Sequence, residues 1–340
     1  MTLLMQNLHN EKTSQTPFWF MRQAGRYLPE YKKIRSGFPD FLSFCYTPDA
    51  ACEVTLQPIT RFDMDAAILF SDILVIPDAL GQSVRFEQGE GPKLDPITHI
   101  KDILRLSPEG VLDKLAPVFT AIRLIRKELS PDKSLIGFAG SPWTVACYMI
   151  EGKGSKDFAT TRGFAYGQPE AFAQLIDILV ESTSRYLIAQ VEAGVNVLQL
   201  FDSWAGILPE SEFHRWVINP TTRIVANVKA AHPDIPIIGF ARSAAPQIID
   251  YENQTGVTAM AMDTAVCLDW AKAHLHKPLQ GNLDPILLAS DEKKAVKETL
   301  RILEAMKDRS FIFNLGHGIV PHTPIAHVEA VVATIKGFRA

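Results

Sequence analysis

The sequence lacks the features that mark secreted and membrane proteins. It has few cysteines, and no two of them form a CxxC pair. Sparse cysteines of this kind are typical of reduced thiols in a cytosolic protein, and we interpret all four as small core residues: Cys45, Cys52, Cys147 and Cys267. No apolar run approaches the roughly 18 residues that a membrane span needs, so we expect no membrane association. The first residues, MTLLMQNLHNEK, lack a basic stretch followed by a long apolar one, and we expect no signal peptide.

Motifs for phosphate, metal or nucleic acid are also missing. No GxGxxG or GxxxxGK[ST] occurs, and the stretch 152–155 (GKGS) has no tight strand before it, so we interpret it as a flexible loop. The His274 and His276 rings would point apart on a predicted helix, while His317 and His322 have no cysteine partner, so we predict no metal site. The net charge of -4 excludes a global basic surface for nucleic acid.

Length and composition are those of an ordinary globular protein. A chain of 340 residues can bury about 75% of its unfolded surface, and 47% of its residues are apolar against 21% charged. No repeat, low-complexity tract or linker divides it. We therefore predict one domain over residues 1–340, with a short N-terminal extension over about residues 1–15.

Short apolar runs alternate with segments of helical periodicity. We predict eight strands: Phe18–Met21, Ala66–Phe70, Leu135–Ala139, Val197–Phe201, Ile235–Phe240, Ala259–Met262, Pro278–Gln280 and Phe311–Phe313. Several are apolar on both faces, as in a covered parallel sheet. Residues 82–92 (QSVRFEQGEGP) alternate and are rich in glycine, which predicts a hairpin insert.

Two of the intervening segments have clear helix signals. Pro169–Ala193 has apolar residues at i, i+3, i+4 and i+7 spacing, with Pro in its first turn and Gly194 at its end. Asp291–Met306 has the same pattern, and Ser290 is the predicted N-cap. Strands alternating with helices predict parallel βαβ units.

Polar residues follow nearly every predicted strand. They are Arg22, Asp72, Ser141, Asp202 with Ser203, Arg242, Asp263, Asn282 with Asp284, and Asn314 with His317. In a closed barrel all strand carboxyl ends open onto one face, where the active site is built. An open doubly wound sheet, the alternative, concentrates function at one switch point. The pattern favours a (β/α)8 TIM barrel.

The loop after the first predicted strand, residues 21–35 (MRQAGRYLPEYKKIR), is basic. Its cations are Arg22, Arg26, Lys32, Lys33 and Arg35, its single acid is Glu30, and its local charge is +4. Guanidinium groups bind carboxylates through two parallel hydrogen bonds, so the loop suits an acidic ligand. We interpret Lys32 and Lys33 as a solvated face, and Arg22 and Arg26 as ligand-binding residues.

Asp72 ends the second predicted strand among large apolar residues, in the sequence FSDIL. A carboxylate in such surroundings is costly unless it is paired. It could hold a cation or a cluster of N–H donors. The structural alternative is an aspartate that caps the next helix or pairs with an arginine, and the residue alone does not decide between them.

Six segments resemble the uroporphyrinogen decarboxylase family, in order along the chain. Residues 17–27 (PFWFMRQAGRY) resemble its first signature and residues 137–144 (GFAGSPWT) its second. Further blocks are at 70–74 (FSDIL), 200–206 (LFDSWAG), 280–285 (QGNLDP) and 314–318 (NLGHG). The match runs from about residue 16 to residue 330.

The resemblance implies a fold, a reaction and a set of site residues. The fold is a (β/α)8 barrel, usually a homodimer with facing clefts. The reaction converts uroporphyrinogen III to coproporphyrinogen III by removing four acetate carboxylates as CO2, in porphyrin and haem biosynthesis, without a cofactor. The substrate-binding positions carried over are Arg22, Arg26, Arg35, Asp72, Tyr148, Ser203 and His317, with Phe70 and Phe201 as apolar walls.

Within this resemblance, the catalytic residues expected are Asp72, Tyr148 and Arg22. A protonated pyrrole ring can accept the electrons released when CO2 leaves, and we expect Asp72 to accept pyrrole N–H hydrogen bonds and to stabilise that cation. His317 is a weaker candidate for a general acid, and the proton donor is unassigned. The competing hypotheses are a corrinoid- or zinc-dependent methyltransferase of the same superfamily and a non-catalytic tetrapyrrole-binding protein.

Overall fold

The structure is a computed structural model that describes residues 1–11, 13–87 and 91–339. The fold is α/β. Its main sheet has seven strands in the order β1-β4-β5-β6-β7-β8-β9, all neighbours being parallel, and β2 and β3 form a separate antiparallel pair. The strands are β1 Ala66–Ile68, β2 Val84–Glu87, β3 Gly91–Leu94, β4 Ser134–Gly140, β5 Val197–Asp202, β6 Ile237–Ala241, β7 Ala259–Ala261, β8 Leu279–Leu283 and β9 Phe311–Leu315.

Helices precede the first strand and fill the connections between the parallel strands. They are α1 Leu3–Leu8, α2 Pro29–Arg35, α3 Phe41–Cys45, α4 Pro48–Phe62, α5 Val75–Ala79, α6 Ile100–Ile103, α7 Val111–Lys114, α8 Ala116–Glu128, α9 Pro142–Glu151, α10 Ala159–Gly167, α11 Pro169–Ala193, α12 Glu210–Phe213, α13 Asn219–Ala231, α14 Ile248–Gln254, α15 Leu268–His274, α16 Pro285–Ser290, α17 Glu292–Met306 and α18 Ile325–Gly337. None of the described helices is both long enough and apolar enough to cross a membrane.

Seven of the eight predicted strand runs are strands of the main sheet, with ends that differ by a few residues. Every residue of β1, β4 and β6 is buried, as expected for strands covered on both faces. The exception is the run Phe18–Met21. The strand predicted there is wrong, because the run forms only one isolated parallel bridge, from Phe18 to Phe313.

The main sheet is curled, since side chains from strands that are not neighbours meet inside it. Gln280 on β8 donates to Gln199 on β5 at 3.2 Å, although two strands separate them in the sheet. Trp19 donates its indole N–H to the same Gln280 at 2.9 Å. All three side chains are fully buried. The hydrogen bonds satisfy both polar atoms of the Gln280 amide, which would otherwise be costly in an apolar interior.

The segment around Phe18 contacts both edge strands of the curled sheet. Phe313 on β9 donates to the Pro17 carbonyl at 2.8 Å, and Trp19 donates to the Phe313 carbonyl at 3.3 Å. On the other side, Asp65 donates to the Phe18 carbonyl at 3.1 Å just before β1 begins. Backbone hydrogen bonds therefore run from each end of the sheet to this one segment.

The predicted ends of α11 are confirmed, whereas the predicted N-cap of α17 is wrong. Helix α11 spans Pro169–Ala193 as predicted, and Gly194 follows it with a φ of 122°, a conformation that favours glycine. Ser290 as an N-cap is wrong. It ends α16, and Asp291 caps α17 by accepting from the Lys294 N–H at 3.0 Å.

The predicted hairpin is present, and one cysteine prediction is wrong. Strands β2 and β3 pair antiparallel from Val84 with Leu94, while residues 88–90 of the predicted hairpin lie outside the described residues. Cys45, Cys52 and Cys147 are buried, but Cys267, the N-cap residue of α15, is exposed, so the prediction that it is a core residue is wrong.

Candidate active site

Asp72 lies just after β1, where the strand carboxyl ends open onto a common rim. Its Oδ1 accepts from the Leu74 N–H at 2.9 Å. Leu74 is the N-cap of α5 and that helix has no side-chain cap hydrogen bond, so the alternative of Asp72 as a helix cap is wrong. The carboxylate has no cation within 4.0 Å in the described part of the chain. The second oxygen makes no hydrogen bond to a described residue, so half of the carboxylate is available to a ligand.

The electrostatic state of Asp72 is unusual for an aspartate. Burial raises its pKa to about 6, against smaller opposing effects of the Leu74 N–H and the Arg22 charge. The side chain is half-buried. A carboxylate held this far from full hydration gains more from new N–H donors than an exposed one, and perturbed groups of this kind cluster at functional sites.

Arg22 has a left-handed backbone, with a φ of 61°. Its neighbour Met21 is fixed on both sides, because its N–H donates to Asn314 at 3.0 Å and its carbonyl accepts from Ile319 at 2.9 Å. The Arg22 side chain then passes over the backbone of Gly318. A left-handed non-glycine residue is strained, and such strain is found where a structure fixes a functional side chain.

The Arg22 guanidinium acts electrostatically on three other predicted site residues. It opposes the rise in the pKa of Asp72, lowers the pKa of His317, and acts on the Tyr148 hydroxyl, which Asp72 also influences. The fold thus brings these four residues together from four different loops and helices. Arg22 is exposed and forms no ion pair with a described acid.

The other two predicted arginines lie on the same side of the rim. Arg26 and Arg35 both act on Tyr31, whose pKa burial raises and which also experiences the Asp72 charge. Arg26 is exposed, and Arg35 donates to the Phe38 carbonyl at 2.8 Å.

The remaining charges of the basic loop point elsewhere. Lys32 and Lys33 are exposed, as the solvated-face interpretation expects. The single acid of the loop, Glu30, pairs with Arg61 of α4 at 2.7 Å and 3.1 Å. This pairing leaves the positive charge of Arg22, Arg26 and Arg35 uncompensated by the loop itself.

Aromatic residues line the neighbouring strand ends. Phe70 is buried against the rings of Phe44 at 4.7 Å and Tyr31 at 5.7 Å between centroids. Phe201 is half-buried and packs edge-to-face on Phe138 and Phe240 at 5.7 Å and 6.1 Å. Phe201 therefore has surface left for a ligand, whereas Phe70 is mostly covered by other rings.

His317 is deprotonated at neutral pH. Burial, with the positive charges of Arg22 and Arg242, lowers its pKa to about 3. Its ring lies 6.4 Å from that of Phe240. A neutral imidazole donates one hydrogen bond and accepts another, but it is a poor general acid.

Tyr148 and Ser203 approach the rim from adjacent elements. Tyr148 is half-buried on α9, and its ring centroid is 6.3 Å from that of Trp204. Ser203 follows β5 directly, is half-buried, and its hydroxyl makes no hydrogen bond to a described residue. Both hydroxyls can therefore contact a ligand at the rim.

Two residues near the site were not among the predicted site residues. Arg242 follows β6 and acts on His317. Asp202 is fully buried, with burial raising its pKa to about 7, and it accepts from Thr144 at 2.5 Å. Both are among the polar residues that follow predicted strands, and this position at a strand end is the signal that could have selected Arg242.

No set of three or more His, Cys, Asp or Glu side chains within the described ranges is arranged to hold a metal ion. A groove of about 840 Å³ lies elsewhere, on the outer face between α4 and α8, and is lined by Glu53, Leu56 and Glu128 among others. The chemistry-bearing residues lie at the rim rather than in this groove.

The chain matches known proteins over nearly all of its length. The family model described as uroporphyrinogen decarboxylase (URO-D) matches residues 1–338. A protein named uroporphyrinogen decarboxylase from Novosphingobium aromaticivorans is 48% identical over 337 residues, covering 98% of each chain. The protein of the same name from Rhodospirillum rubrum is 47% identical over 338 residues, covering 98% of this chain and 97% of its own.

Solved structures share the fold at low identity. A methyltransferase from Methanosarcina mazei superposes with a TM-score of 0.82 at 19% identity, covering 98% of this chain and 97% of its own. A putative vitamin-B12 independent methionine synthase from Listeria monocytogenes gives a TM-score of 0.54 at 12% identity, covering 95% and 96%. At these identities the likeness concerns the fold alone.

Proposed function

The chain belongs to the uroporphyrinogen decarboxylase family, and we propose that it carries out that reaction at the rim where Asp72, Arg22, Tyr148 and His317 meet. The activity is that of a carboxy-lyase. It removes the four acetate carboxylates of uroporphyrinogen as CO2 and leaves methyl groups, giving coproporphyrinogen in porphyrin biosynthesis. The observation that carries the site assignment is the half-buried Asp72 carboxylate with one unbonded oxygen and a pKa of about 6.

The proposed architecture is a complete (β/α)8 barrel in one domain. The segment at Phe18 would be its first strand, shortened to a single bridge but hydrogen-bonded towards both β9 and the start of β1. Closure would bring all strand carboxyl ends to one mouth, which is where barrel enzymes place their active sites.

The arginines would bind the substrate carboxylates. Arg22 and Arg26 are exposed, Arg35 is half-buried, and the single acid of their loop is already paired with Arg61. Each charge-assisted hydrogen bond from a guanidinium to a carboxylate contributes about 1.5–3 kcal/mol. A polyacidic substrate would therefore be held by this loop in spite of the net charge of -4.

Asp72 would act on the pyrrole being decarboxylated. Protonation of a ring α-carbon gives a cationic ring, and the C–C bond electrons flow into that ring when CO2 leaves. A second proton then converts the resulting methylene into a methyl group, and the ring returns its added proton. The unbonded oxygen of Asp72 would accept pyrrole N–H hydrogen bonds and stabilise the cation before CO2 leaves.

The other predicted residues would position the substrate. Tyr148 and Ser203 would offer hydroxyl groups, the neutral His317 a hydrogen bond, and Phe201 and Phe70 apolar contacts. General-acid catalysis by a charged His317 is disfavoured by its pKa of about 3. The reaction needs no external electron sink in this scheme, since the pyrrole supplies it, and we propose that no cofactor is used.

Incubation with uroporphyrinogen, followed by chromatographic separation of products by carboxylate number, tests the proposed function. Products with seven to four carboxylates are expected, in enzyme dialysed against a chelator as well as in untreated enzyme. A substrate recovered with all eight carboxylates would contradict the assignment, and activity lost on dialysis would contradict cofactor independence.

We propose further that the enzyme is a cytoplasmic homodimer with facing clefts. Family membership supports this, and Cys45, Cys52 and Cys147 are unpaired thiols. Light scattering should give twice the chain mass of 37.7 kDa. A mass equal to one chain would contradict the dimer, and cell fractionation tests the location.

A further inference from the structure

Trp204 has a buried indole N–H that makes no hydrogen bond to a described residue. An unsatisfied buried donor is costly, and few persist in a folded protein without a role. The residue follows Ser203 at the end of β5, so it lies beside the rim. It was not among the predicted site residues, and neither the basic loop nor Asp72 accounts for it.

The backbone of Trp204 is held firmly. Its N–H donates to Thr144 Oγ1 at 3.1 Å, and its carbonyl accepts from the Trp143 indole at 2.9 Å. Thr144 in turn donates to the buried Asp202 at 2.5 Å. The orientation of the Trp204 main chain is thus fixed from α9 and does not depend on its own indole N–H.

The same face of α9 presents Tyr148 to the indole. Thr144 and Tyr148 are four residues apart in the helix, so their side chains lie one above the other. The Trp204 ring packs on Phe158 at 4.8 Å and faces Tyr148 at 6.3 Å, with an angle of 59° between the latter two planes. Burial raises the pKa of Tyr148, and Trp204 opposes that rise, as an N–H directed at the phenol oxygen does.

We propose that Trp204 is a positioning residue whose indole N–H donates to the Tyr148 hydroxyl oxygen and thereby directs the hydroxyl proton towards Asp72 and the bound substrate. A phenol oxygen that accepts from one side has its own proton free to donate on the other. The expected effect on turnover rests on the proposed function, whereas the contact between Trp204 and Tyr148 does not.

The contact is tested first without any activity. In protein labelled with ¹⁵N in the indole groups, the five tryptophans give five N–H resonances, and Trp204→Phe identifies the one that belongs to residue 204. Tyr148→Phe should shift that resonance, while Trp270→Phe, a matched change on α15, should not. A resonance that stays in place in Tyr148→Phe would overturn the proposal.

The kinetic test is a double-mutant cycle. Trp204→Phe keeps an aromatic ring and both backbone hydrogen bonds, and it should lower kcat about fivefold to tenfold with little change in KM. In a Tyr148→Phe background the same change should have almost no further effect, because its target is gone. Equal effects in both backgrounds would indicate a packing role and overturn the proposal.

The two tests separate this inference from the proposed function. If the wild type leaves uroporphyrinogen unchanged while the Trp204 resonance responds to Tyr148→Phe, the function fails and the contact stands. If the wild type is active and the resonance does not respond, the function stands and the contact fails.

Discussion

The side chain of Arg22 lies directly on the backbone of Gly318, where an added β-carbon would be 2.3 Å from Arg22 Cδ and 2.6 Å from Cγ. Such distances are far inside van der Waals contact, so any other residue at 318 would displace the arginine. The glycine after His317 therefore fixes the path of the guanidinium that acts on Asp72, Tyr148 and His317.

Gly318→Ala should lower kcat/KM for uroporphyrinogen about tenfold to a hundredfold. The reason is the loss of one well-placed guanidinium–carboxylate contact, whose free energy is about 1.5–3 kcal/mol. Gly163→Ala on α10 is the matched control, since a β-carbon there meets nothing within 4 Å. Unchanged kinetics in Gly318→Ala would show that Arg22 does not need this position.

His317 should not titrate in the physiological range. Its pKa is lowered to about 3, so the folded protein binds fewer protons than the unfolded chain between about pH 6.5 and pH 3. The contribution of His317 to stability is thus fully present above pH 6.5 and declines as the pH falls. The ring resonances of His317, followed by NMR from pH 8 to pH 5, should stay constant, and a midpoint near 6.5 would contradict the described burial.

The ionised form of Asp72 should lower the free energy of unfolding of the ligand-free enzyme at neutral pH. Its pKa is raised from 3.8 to about 6, so its stabilising protonated form is lost as the pH rises through 6. Asp72→Asn should therefore increase the free energy of unfolding at pH 8 by about 1–3 kcal/mol, with little difference at pH 4. Urea unfolding of both proteins at the two pH values measures this, and an equal effect at both would contradict the assigned pKa.

Thr144→Val should destabilise the fold by about 2 kcal/mol or more. The change keeps the shape of the side chain but leaves the Trp204 N–H and the buried Asp202 carboxyl without their partner. Thr120→Val on α8 is a suitable control, because its hydroxyl is exposed. Denaturation midpoints of the two variants should differ clearly, and similar midpoints would mean that the buried network contributes little.

Much of the fold was predictable, because buried parallel strands have a simple sequence pattern. Runs such as Leu135–Ala139 are apolar on both faces and bounded by helices, and seven of the eight predicted runs are strands. The run at Phe18 has the same composition, but its hydrogen bonds go to Asp65 and Phe313 over a short stretch. Composition cannot distinguish a full strand from one bridge, because that depends on where the chain turns next.

The site was predictable to the extent that its residues stand at strand ends. Asp72, Arg22 and His317 all follow predicted strands, whereas only the family resemblance points to Tyr148. Arg242 stood at a strand end too, but nothing local distinguished it from a solvated arginine. The Trp204 indole depends on the packing of α9 against the β5 loop, and such contacts between distant segments are not visible in one sequence.

The most direct measurement of the central claim is the turnover of Asp72→Asn with uroporphyrinogen, set beside its affinity for coproporphyrinogen. The asparagine keeps the size of the side chain and can still accept from Leu74, but it carries no negative charge for the pyrrole cation. We predict a fall in kcat of about 10²–10³ with product affinity within a few fold of wild type. Wild-type turnover in this variant would contradict the role given to Asp72.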